Sequence, residues 1–338
     1  MCGIAGFVND MPIDVKCPVL QRMTDMIAHR GPDSEGHYID EHAALGHRRL
    51  SIIDLGGGQQ PIYNEDGSKV ITFNGEIYNY QTLREELIAA GHTFTTKSDT
   101  EVLLHGYEQW GVDLLQRVRG MFTFVIWDKN KQELFGARDH FGIKPFYYAK
   151  MNGTFMYASE IKSLLRHPDF VKELNAEALK PYMTFQYPAI GETFFKGVYK
   201  LPEGHYFTYR DGKMDIHRYY DEDFREGKQK LGELVNSIDQ TVCDSVKAHQ
   251  IADVEVGSFL SSGVDSSYVA AVARPQHTYS IGFGKGTYNE SQQAGELAEL
   301  LKLNNTAEAL TDEEAFAAFP RIQWHLGEPE PKPSRLQP

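Results

Sequence analysis

The hydrophobic pattern of this 338-residue chain changes once, near residues 215–228, and the change divides the chain into two regions of different fold class. Residues 1 to about 210 contain short apolar runs bounded by turn signals, which predict many strands with a few helices. Beyond the change, helix-like and strand-like runs alternate, which predicts a parallel α/β sheet. We therefore predict domains at 1–215 and 229–327, followed by a disordered proline-rich tail at 328–338.

Turn and capping residues predict the ends of several elements. In the first region, capping residues at both ends predict helices at about 82–90 and 99–110, each closed by a glycine. Asn152-Gly153 and Asp211-Gly212 predict tight hairpins. In the second region the pattern predicts these elements in order: helix 231–249, strand 254–260, helix 266–274, strand 278–283, helix 289–303, strand 305–310 and helix 311–326.

Composition excludes several classes of function. A net charge of −13 lacks the basic footprint that nucleic-acid binding requires. No apolar run reaches the roughly 20 residues of a membrane span, and no secretory signal pattern is visible, so we expect a cytoplasmic protein without a membrane partner. The three cysteines have no CxxC spacing, which argues against a zinc site or a disulfide framework.

Cys2 follows the initiator methionine in the string Met1-Cys-Gly-Ile-Ala-Gly6. Removal of Met1 would place a thiol nucleophile and a free α-amine on one residue. An α-amine has an ordinary pKa of about 7.7–8.0, so it can act as general base toward the thiol beside it. The alternative is that Cys2 is a small apolar residue at the start of a buried strand.

A cysteine nucleophile that attacks a carboxamide needs an oxyanion hole and groups that bind the charged end of the substrate. Asn74 and Gly75 could donate a side-chain amide and a backbone N–H to the oxyanion. Arg49 could bind a carboxylate, and Glu76 and Asp99 could receive an ammonium. Each has a structural alternative: a hairpin turn for Asn74-Gly75, a structural cation for Arg49, and a helix cap for Asp99.

A second candidate site is the loop Ser261-Ser-Gly-Val-Asp-Ser-Ser267, between a predicted strand and a predicted helix. Its small residues would let backbone N–H groups and the helix N-terminus hold a pyrophosphate. Asp265 could support a magnesium ion or shape the loop. Simple capping of the helix is the alternative, and the loop lacks the Walker A pattern.

Taken together and in this order, these strings closely resemble the glutamine-hydrolysing asparagine synthetases. The resemblance covers residues 1 to about 329. Its motifs in the first region are Met1–Gly6, Arg30–Ser34, Arg49–Ile53, Asn74–Glu76, Ser98–Glu101, Arg119–Phe122, Ala137–Asp139 and Gly142–Pro145. The resemblance implies an α+β four-layer αββα glutaminase domain of the N-terminal nucleophile hydrolase class. It implies that an α/β parallel-sheet domain of the ATP pyrophosphatase type follows.

By this resemblance, Cys2 would attack glutamine, Asn74 and Gly75 would stabilise the oxyanion, and the released ammonia would react with aspartate adenylated by magnesium-ATP. The residues implied to bind glutamine are Arg49, Ile53, Asn74, Glu76 and Asp99. Those implied to bind ATP are Phe259, Ser261, Ser262, Gly263, Asp265, Ser266, Ser267 and Ile281, with Asp265 as the magnesium residue through pyrophosphate. Glutamine, aspartate and ATP are the expected partners, and a homodimer is an open alternative.

Two departures from the family pattern matter. Ser262 replaces the first glycine of the phosphate loop, which would be strained if that position required a positive φ. Beyond Glu328 the family pattern is lost, so we expect an incomplete synthetase half. Three alternatives remain open: a chain active only as a glutaminase, a non-catalytic fragment, and an amidotransferase with a different acceptor.

Overall fold

A computed structural model describes residues 1–187, 190–283 and 290–329 of the chain. Contacts within it form two units, one built on Met1–Asp223 and the other on Phe224–His325. Most of the predicted tail, residues 330–338, lies outside the described residues.

Two antiparallel sheets of six strands each form the centre of the first unit. The first sheet consists of β1 (Gly3–Val8), β2 (Ser34–Ile39), β3 (Ala43–Arg49), β8 (Tyr147–Met151), β9 (Thr154–Ala158) and β10 (Val198–Lys200). The second consists of β4 (Ile62–Tyr63), β5 (Lys69–Ile77), β6 (Gly120–Asp128), β7 (Glu133–Arg138), β11 (His205–Arg210) and β12 (Lys213–Arg218). Their strand orders are β10-β8-β9-β1-β3-β2 and β12-β11-β7-β6-β5-β4.

Helices cover the outer faces of both sheets. They are α1 (Ile13–Asp25), α2 (Tyr80–Ala89), α3 (Asp99–Trp110) and α4 (Ile161–Leu164). The short helix α5 (Leu179–Phe185) has no buried residue. Leu20 of α1 packs in one buried cluster with Phe7 of the first sheet. Leu103 of α3 packs in another with Phe73 of the second sheet.

The two sheets face each other through a third buried cluster, which includes Ile4 from the first sheet and Val125 from the second. Alternate side chains of each strand therefore enter different apolar layers, as the two-residue period of a strand requires. The resulting order of layers is helix, sheet, sheet, helix, which confirms the αββα fold class implied by the family resemblance.

The predicted hairpins are confirmed. Asn152 and Gly153 have φ values of 49° and 83°, and Asp211 and Gly212 have 50° and 74°. Two consecutive positive φ values are the signature of the two-residue hairpin turn that Asn-Gly and Asp-Gly favour.

Helix α3 has the predicted limits, but α2 begins at Tyr80, two residues before the predicted start. The side chain of Asn79 explains the early start, since it donates to Arg117 O at 2.8 Å and accepts from Arg119 N at 2.9 Å. These bonds fix the chain entering the helix. Helix α1 was not predicted, because Pro18 lies inside it and no side-chain cap marks its start.

The second unit has a parallel sheet of three strands in the order β13 (Ser258–Phe259), β14 (His277–Phe283), β15 (Asn304–Leu310). Its helices are α6 (Leu231–Ala248), α7 (Val264–Ala273), α8 (Glu290–Leu301) and α9 (Asp312–Leu326). The parallel pairing confirms the predicted α/β class of this region. None of the helices in the described ranges has the length and apolar character needed to cross a membrane.

The predicted strand 254–260 is wrong in its extent, because only Ser258 and Phe259 pair with β14. In this register, His277, the first residue of β14, lies opposite Gly257. Within the described ranges no strand therefore lies beside Val254 or Val256, and both are exposed. Helix α7 begins at Val264, two residues before the predicted start.

Candidate active site

A pocket in the first unit contains every residue for which the sequence predicted a role in the chemistry of a carboxamide. These residues come from the chain start, β3 and the segment after it, β5, and the first residue of α3. They are Cys2, Arg49, Ile53, Asn74, Gly75, Glu76 and Asp99. The tertiary fold thus brings together positions that are up to 97 residues apart in the sequence.

Cys2 lies just before β1, next to the end of β3. Its Sγ accepts a hydrogen bond from Leu50 N at 3.4 Å and lies 3.5 Å from Leu50 O, to which the thiol can donate. Arg30 Nε donates to the Cys2 carbonyl at 3.0 Å and fixes the backbone. Burial raises the pKa of the Cys2 thiol, so the sulfur needs a general base before it can act as a nucleophile.

Asn74 and Gly75 lie inside strand β5, so the alternative that they form a hairpin turn is wrong. The Asn74 side chain is 1% exposed, and neither its Oδ1 nor its Nδ2 has a hydrogen-bond partner within the described chain. Buried amides are almost always paired, so this one is available to a ligand. At Gly75 a Cβ would lie 2.2 Å from Met121 O, so the neighbouring strand excludes any side chain there.

The two consecutive arginines at the end of β3 have different environments. Arg48 forms surface ion pairs with Asp25 and Glu35, so its role is structural. Arg49 is 5% exposed and lines the pocket. Its Nη2 donates to Ile53 O at 3.1 Å and Asp54 O at 2.7 Å, and these bonds hold the guanidinium in place.

Gly58 makes room for this guanidinium, because a Cβ at Gly58 would lie 2.7 Å from Arg49 Nη2. No sequence pattern singles out Gly58. A glycine suits this position because its backbone lies close to the Arg49 side chain, an approach that exists only in the folded protein.

Asp99 is the first residue of α3, but Ser98 is the helix cap, since the Ser98 hydroxyl accepts from Thr100 N at 3.2 Å. The alternative that Asp99 serves as the cap is therefore wrong. Burial raises the pKa of Asp99 to about 7, although a hydrogen bond from Ile77 N opposes the shift. Glu76 lines the same pocket. Two carboxylates at one site can bind a cationic group.

Sequence reasoning missed Gln60, Thr100 and Lys144, which also line the pocket. The Gln60 amide accepts from Phe73 N at 2.7 Å and donates to Phe73 O at 3.2 Å, so it fixes the backbone immediately before Asn74. A single glutamine in a loop carries no recognisable sequence signal. Lys144 lies in the string Gly142–Pro145, which the resemblance included without assigning a role.

In the second unit, the loop Ser261–Ser267, called the serine loop below, follows β13 and leads into α7. Ser261 Oγ and Ser266 Oγ are 2.8 Å apart, and Gly263 N donates to Ser261 Oγ at 3.1 Å, which closes the loop on itself. Ser262 is not among the residues with positive φ, so serine fits this position without backbone strain.

The other residues of this second candidate site differ in exposure. Phe259 pairs with Tyr279 in the sheet, and Ile281 lies two residues further toward the carboxyl end of β14. Phe259 and Asp265 are exposed, and Ile281 is half-buried. Ser267 N donates to Gly263 O within the first turn of α7. Among the described residues, Asp265 belongs to no cluster of three metal-ligating side chains.

Two family models match the chain. The model of the glutamine amidotransferase domain matches residues 1–220, and that of asparagine synthase matches residues 237–336. Asparagine synthetase [glutamine-hydrolyzing] 1 of Bacillus subtilis is 42% identical over 99% of this chain. A putative asparagine synthetase [glutamine-hydrolyzing] 2 of Methanocaldococcus jannaschii is 32% identical, with 97% of this chain and 68% of that protein covered. The chain belongs to the glutamine-hydrolysing asparagine synthetase family.

Within this family, the chain spans about half the length of the curated relatives it matches, for example 54% of the Bacillus subtilis protein. Among solved structures, one described as the allosteric regulatory enzyme of purine biosynthesis has a TM-score of 0.49 at 14% identity. The alignment covers 92% of the present chain and 80% of the chain in that solved structure.

Proposed function

We propose that the first unit hydrolyses glutamine to glutamate and ammonia at Cys2. We propose further that the protein transfers this ammonia to ATP-activated aspartate, giving asparagine, AMP and pyrophosphate. The observation that carries the first step is the unpartnered, buried amide of Asn74 in the same pocket as the Cys2 thiol. The domain limits 1–215 and 229–327 belong to the same proposal.

The glutaminase step begins after Met1 is removed. The neutral α-amine of Cys2 takes the thiol proton while Sγ attacks the carbon of the glutamine side-chain amide. Asn74 Nδ2 and the Gly75 N–H donate to the oxyanion of the tetrahedral intermediate. The amine then returns its proton to the departing nitrogen, which leaves as ammonia. Water hydrolyses the glutamyl thioester and releases glutamate and the thiol.

The charged end of glutamine would lie between Arg49, which binds the α-carboxylate, and the pair Glu76 and Asp99, which receive the ammonium. The raised pKa of Asp99 supports this assignment, because a buried carboxylate without a cation is costly and a bound ammonium would relieve that cost. Ile53 would provide apolar contact, since it is 8% exposed and lines the pocket.

In the second unit, the N-terminal turn of α7 and the exposed backbone of Ser262 and Gly263 would hold the ATP phosphates. Magnesium would neutralise phosphate charge there, and Asp265, an exposed carboxylate in the first turn, suits that ion. Ile281 and Phe259 would lie by the nucleotide, together with the hydroxyls of Ser261, Ser266 and Ser267. Homodimer formation and a cytoplasmic location stay predictions.

Glutamate release from glutamine, measured with and without aspartate and ATP, tests both steps. We expect Cys2→Ala to abolish glutamate release and to leave the binding of a fluorescent ATP analogue unchanged. Cys17→Ala is the matched control, because Cys17 is an exposed free cysteine outside the pocket. Glutamate release without asparagine formation would support the glutaminase-only alternative. Full glutamate release by Cys2→Ala would overturn the proposal.

A further inference from the structure

Lys144 is a buried cation in the glutaminase pocket. It is 4% exposed, and its Nζ donates to Met1 Sδ at 3.1 Å. None of the ion pairs within the described chain joins this ammonium to a carboxylate. Burial lowers the pKa of Lys144, and the charge of Glu76 in the same pocket opposes this shift without a direct ion pair. Because burying an ammonium that has no direct ion pair is costly, its presence in the pocket calls for a functional explanation.

The backbone around Lys144 is fixed from both sides. Its N–H donates to Asp139 Oδ2 at 3.0 Å, and its carbonyl accepts from Arg138 Nε at 2.7 Å. Asp139 also accepts from Phe141 N and Ile143 N, at 3.1 and 2.9 Å. The loop between β7 and β8 is therefore rigidly defined, and it directs a cation toward the start of the chain.

We propose that Lys144 is a positioning residue whose positive charge keeps the α-amine of mature Cys2 neutral and able to act as general base. This inference rests on the proposed glutaminase function. In the unprocessed chain, Lys144 contacts the Met1 side chain directly. Removal of Met1 takes that partner away and creates the amine one peptide unit further along.

The charges that face the chain start come from several elements. Arg30 and Lys144 are cationic, and Glu76 on β5 is anionic. The other titratable or charged groups near the chain start are the Cys2 thiol, Arg49 at the end of β3 and Asp99 on α3. Burial lowers the pKa of the Met1 amine, and Arg30 and Lys144 add to the shift while Cys2 and Glu76 oppose it. A nearby positive charge disfavours the protonated amine, which is the state that cannot accept the thiol proton.

The test is the pH dependence of kcat for glutamate release by wild type, Lys144→Met and Lys144→Arg. In the complex with glutamine, the ammonium of the substrate keeps Asp99 ionised. The fall of kcat at low pH, the acid limb, therefore reports protonation of the Cys2 α-amine. Loss of the charge raises the pKa of the amine. We expect the limb of Lys144→Met to move to higher pH by about half a unit or more, with kcat approaching wild type near pH 9. Lys144→Arg should keep the wild-type limb.

A second measurement does not depend on activity. The pH dependence of α-amine acetylation, read by mass spectrometry of the N-terminal peptide, reports the amine pKa directly. It should rise in Lys144→Met and stay unchanged in Lys150→Met, which removes an exposed lysine on β8. Thermal melting should show that Lys144→Met is folded, since it removes a buried charge without an ion-pair partner.

Three outcomes for Lys144→Met would overturn the inference. They are an unmoved acid limb with uniformly lower kcat, a higher KM for glutamine with no other change, or an unchanged pKa of the α-amine. The first would indicate a structural role, and the second direct binding of substrate. Wild type that releases no glutamate would overturn the proposed function instead, and the acetylation measurement would still decide the role of Lys144.

Discussion

The backbone N–H of Ile77 donates a hydrogen bond to the carboxylate of Asp99 at 3.0 Å. This bond joins the end of β5, the strand that carries Asn74 and Gly75, to the first turn of α3. The proposed oxyanion donors and the proposed ammonium receptor are therefore held in one frame. A substitution at either end is expected to alter substrate binding as well as local structure.

Asp99→Asn should raise KM for glutamine at least tenfold, because an amide cannot compensate the charge of the substrate ammonium. The pKa of about 7 for Asp99 in the free protein also predicts that kcat/KM for glutamine falls below pH 7, as protonation removes the charge. In Asp99→Asn the contribution of Asp99 to this fall should be absent, and only the fall caused by protonation of the Cys2 α-amine should remain. Steady-state kinetics between pH 5.5 and about 9 would measure both effects.

4-Carbamoylbutyrate, which is glutamine without its α-amino group, is the control substrate for this prediction. Wild type and Asp99→Asn should hydrolyse it with similar kcat/KM. A large difference between them with this substrate would show that Asp99 acts on something other than the ammonium.

Asn74→Ala should lower kcat by about 10²–10³-fold, the usual cost of removing one oxyanion donor. The melting temperature should change little, because the amide makes no hydrogen bond within the described chain. Asn79→Ala is the opposite control: it removes bonds to Arg117 and Arg119, so it should lower the melting temperature and spare kcat. The idea fails if Asn74→Ala keeps its kcat.

Gly58→Ala should raise KM for glutamine and lower the melting temperature only modestly, through the disturbed bonds of Arg49 to Ile53 O and Asp54 O. The new methyl group would displace the Arg49 guanidinium, the end of a flexible side chain, so the fold can adapt while the carboxylate site cannot. Gly56→Ala is the matched control, since a Cβ at Gly56 meets no atom within 4 Å. Equal KM values for the two variants would contradict a role for Arg49 in binding glutamine.

His105→Gln should destabilise the first unit by about 3 kcal/mol near pH 6, the typical cost of breaking a buried ion pair. Burial lowers the pKa of His105, but Glu101 and Glu108 outweigh it and raise the pKa to about 9. Because the pKa of His105 is higher in the folded than in the unfolded protein, its protonation stabilises the fold. This contribution is fully present below the pKa of the unfolded state, about 6.5. The difference between wild type and His105→Gln should therefore shrink as the pH rises from 6.5 through 9.

Chemical denaturation at several pH values would measure this effect, with the exposed His217→Gln as control. A constant difference between pH 6 and about 10 would mean that His105 stabilises the fold by packing alone.

Periodicity, capping and turn residues act over a few positions, and they predicted a strand-rich first region, a parallel sheet in the second and the ends of many elements. The hairpins at Asn152 and Asp211 and the limits of α3 follow from such local rules. The αββα layers of the first region were implied only by the resemblance to the family. Sequence reasoning missed α1, where packing against the sheet outweighs an internal proline. It also extended the strand before the serine loop beyond the point where a partner strand exists.

The sequence also selected the chemical groups of the candidate active site, because a thiol beside an amine is recognisable and the order of the motifs resembles that of the glutamine-hydrolysing asparagine synthetases. Only the tertiary structure decided what surrounds them. The unpaired amide of Asn74, the space that Gly58 leaves for Arg49, the raised pKa of Asp99 and the buried charge of Lys144 all depend on segments distant in sequence. Close approach and loss of solvent arise only when those segments pack together, so no local pattern encodes them.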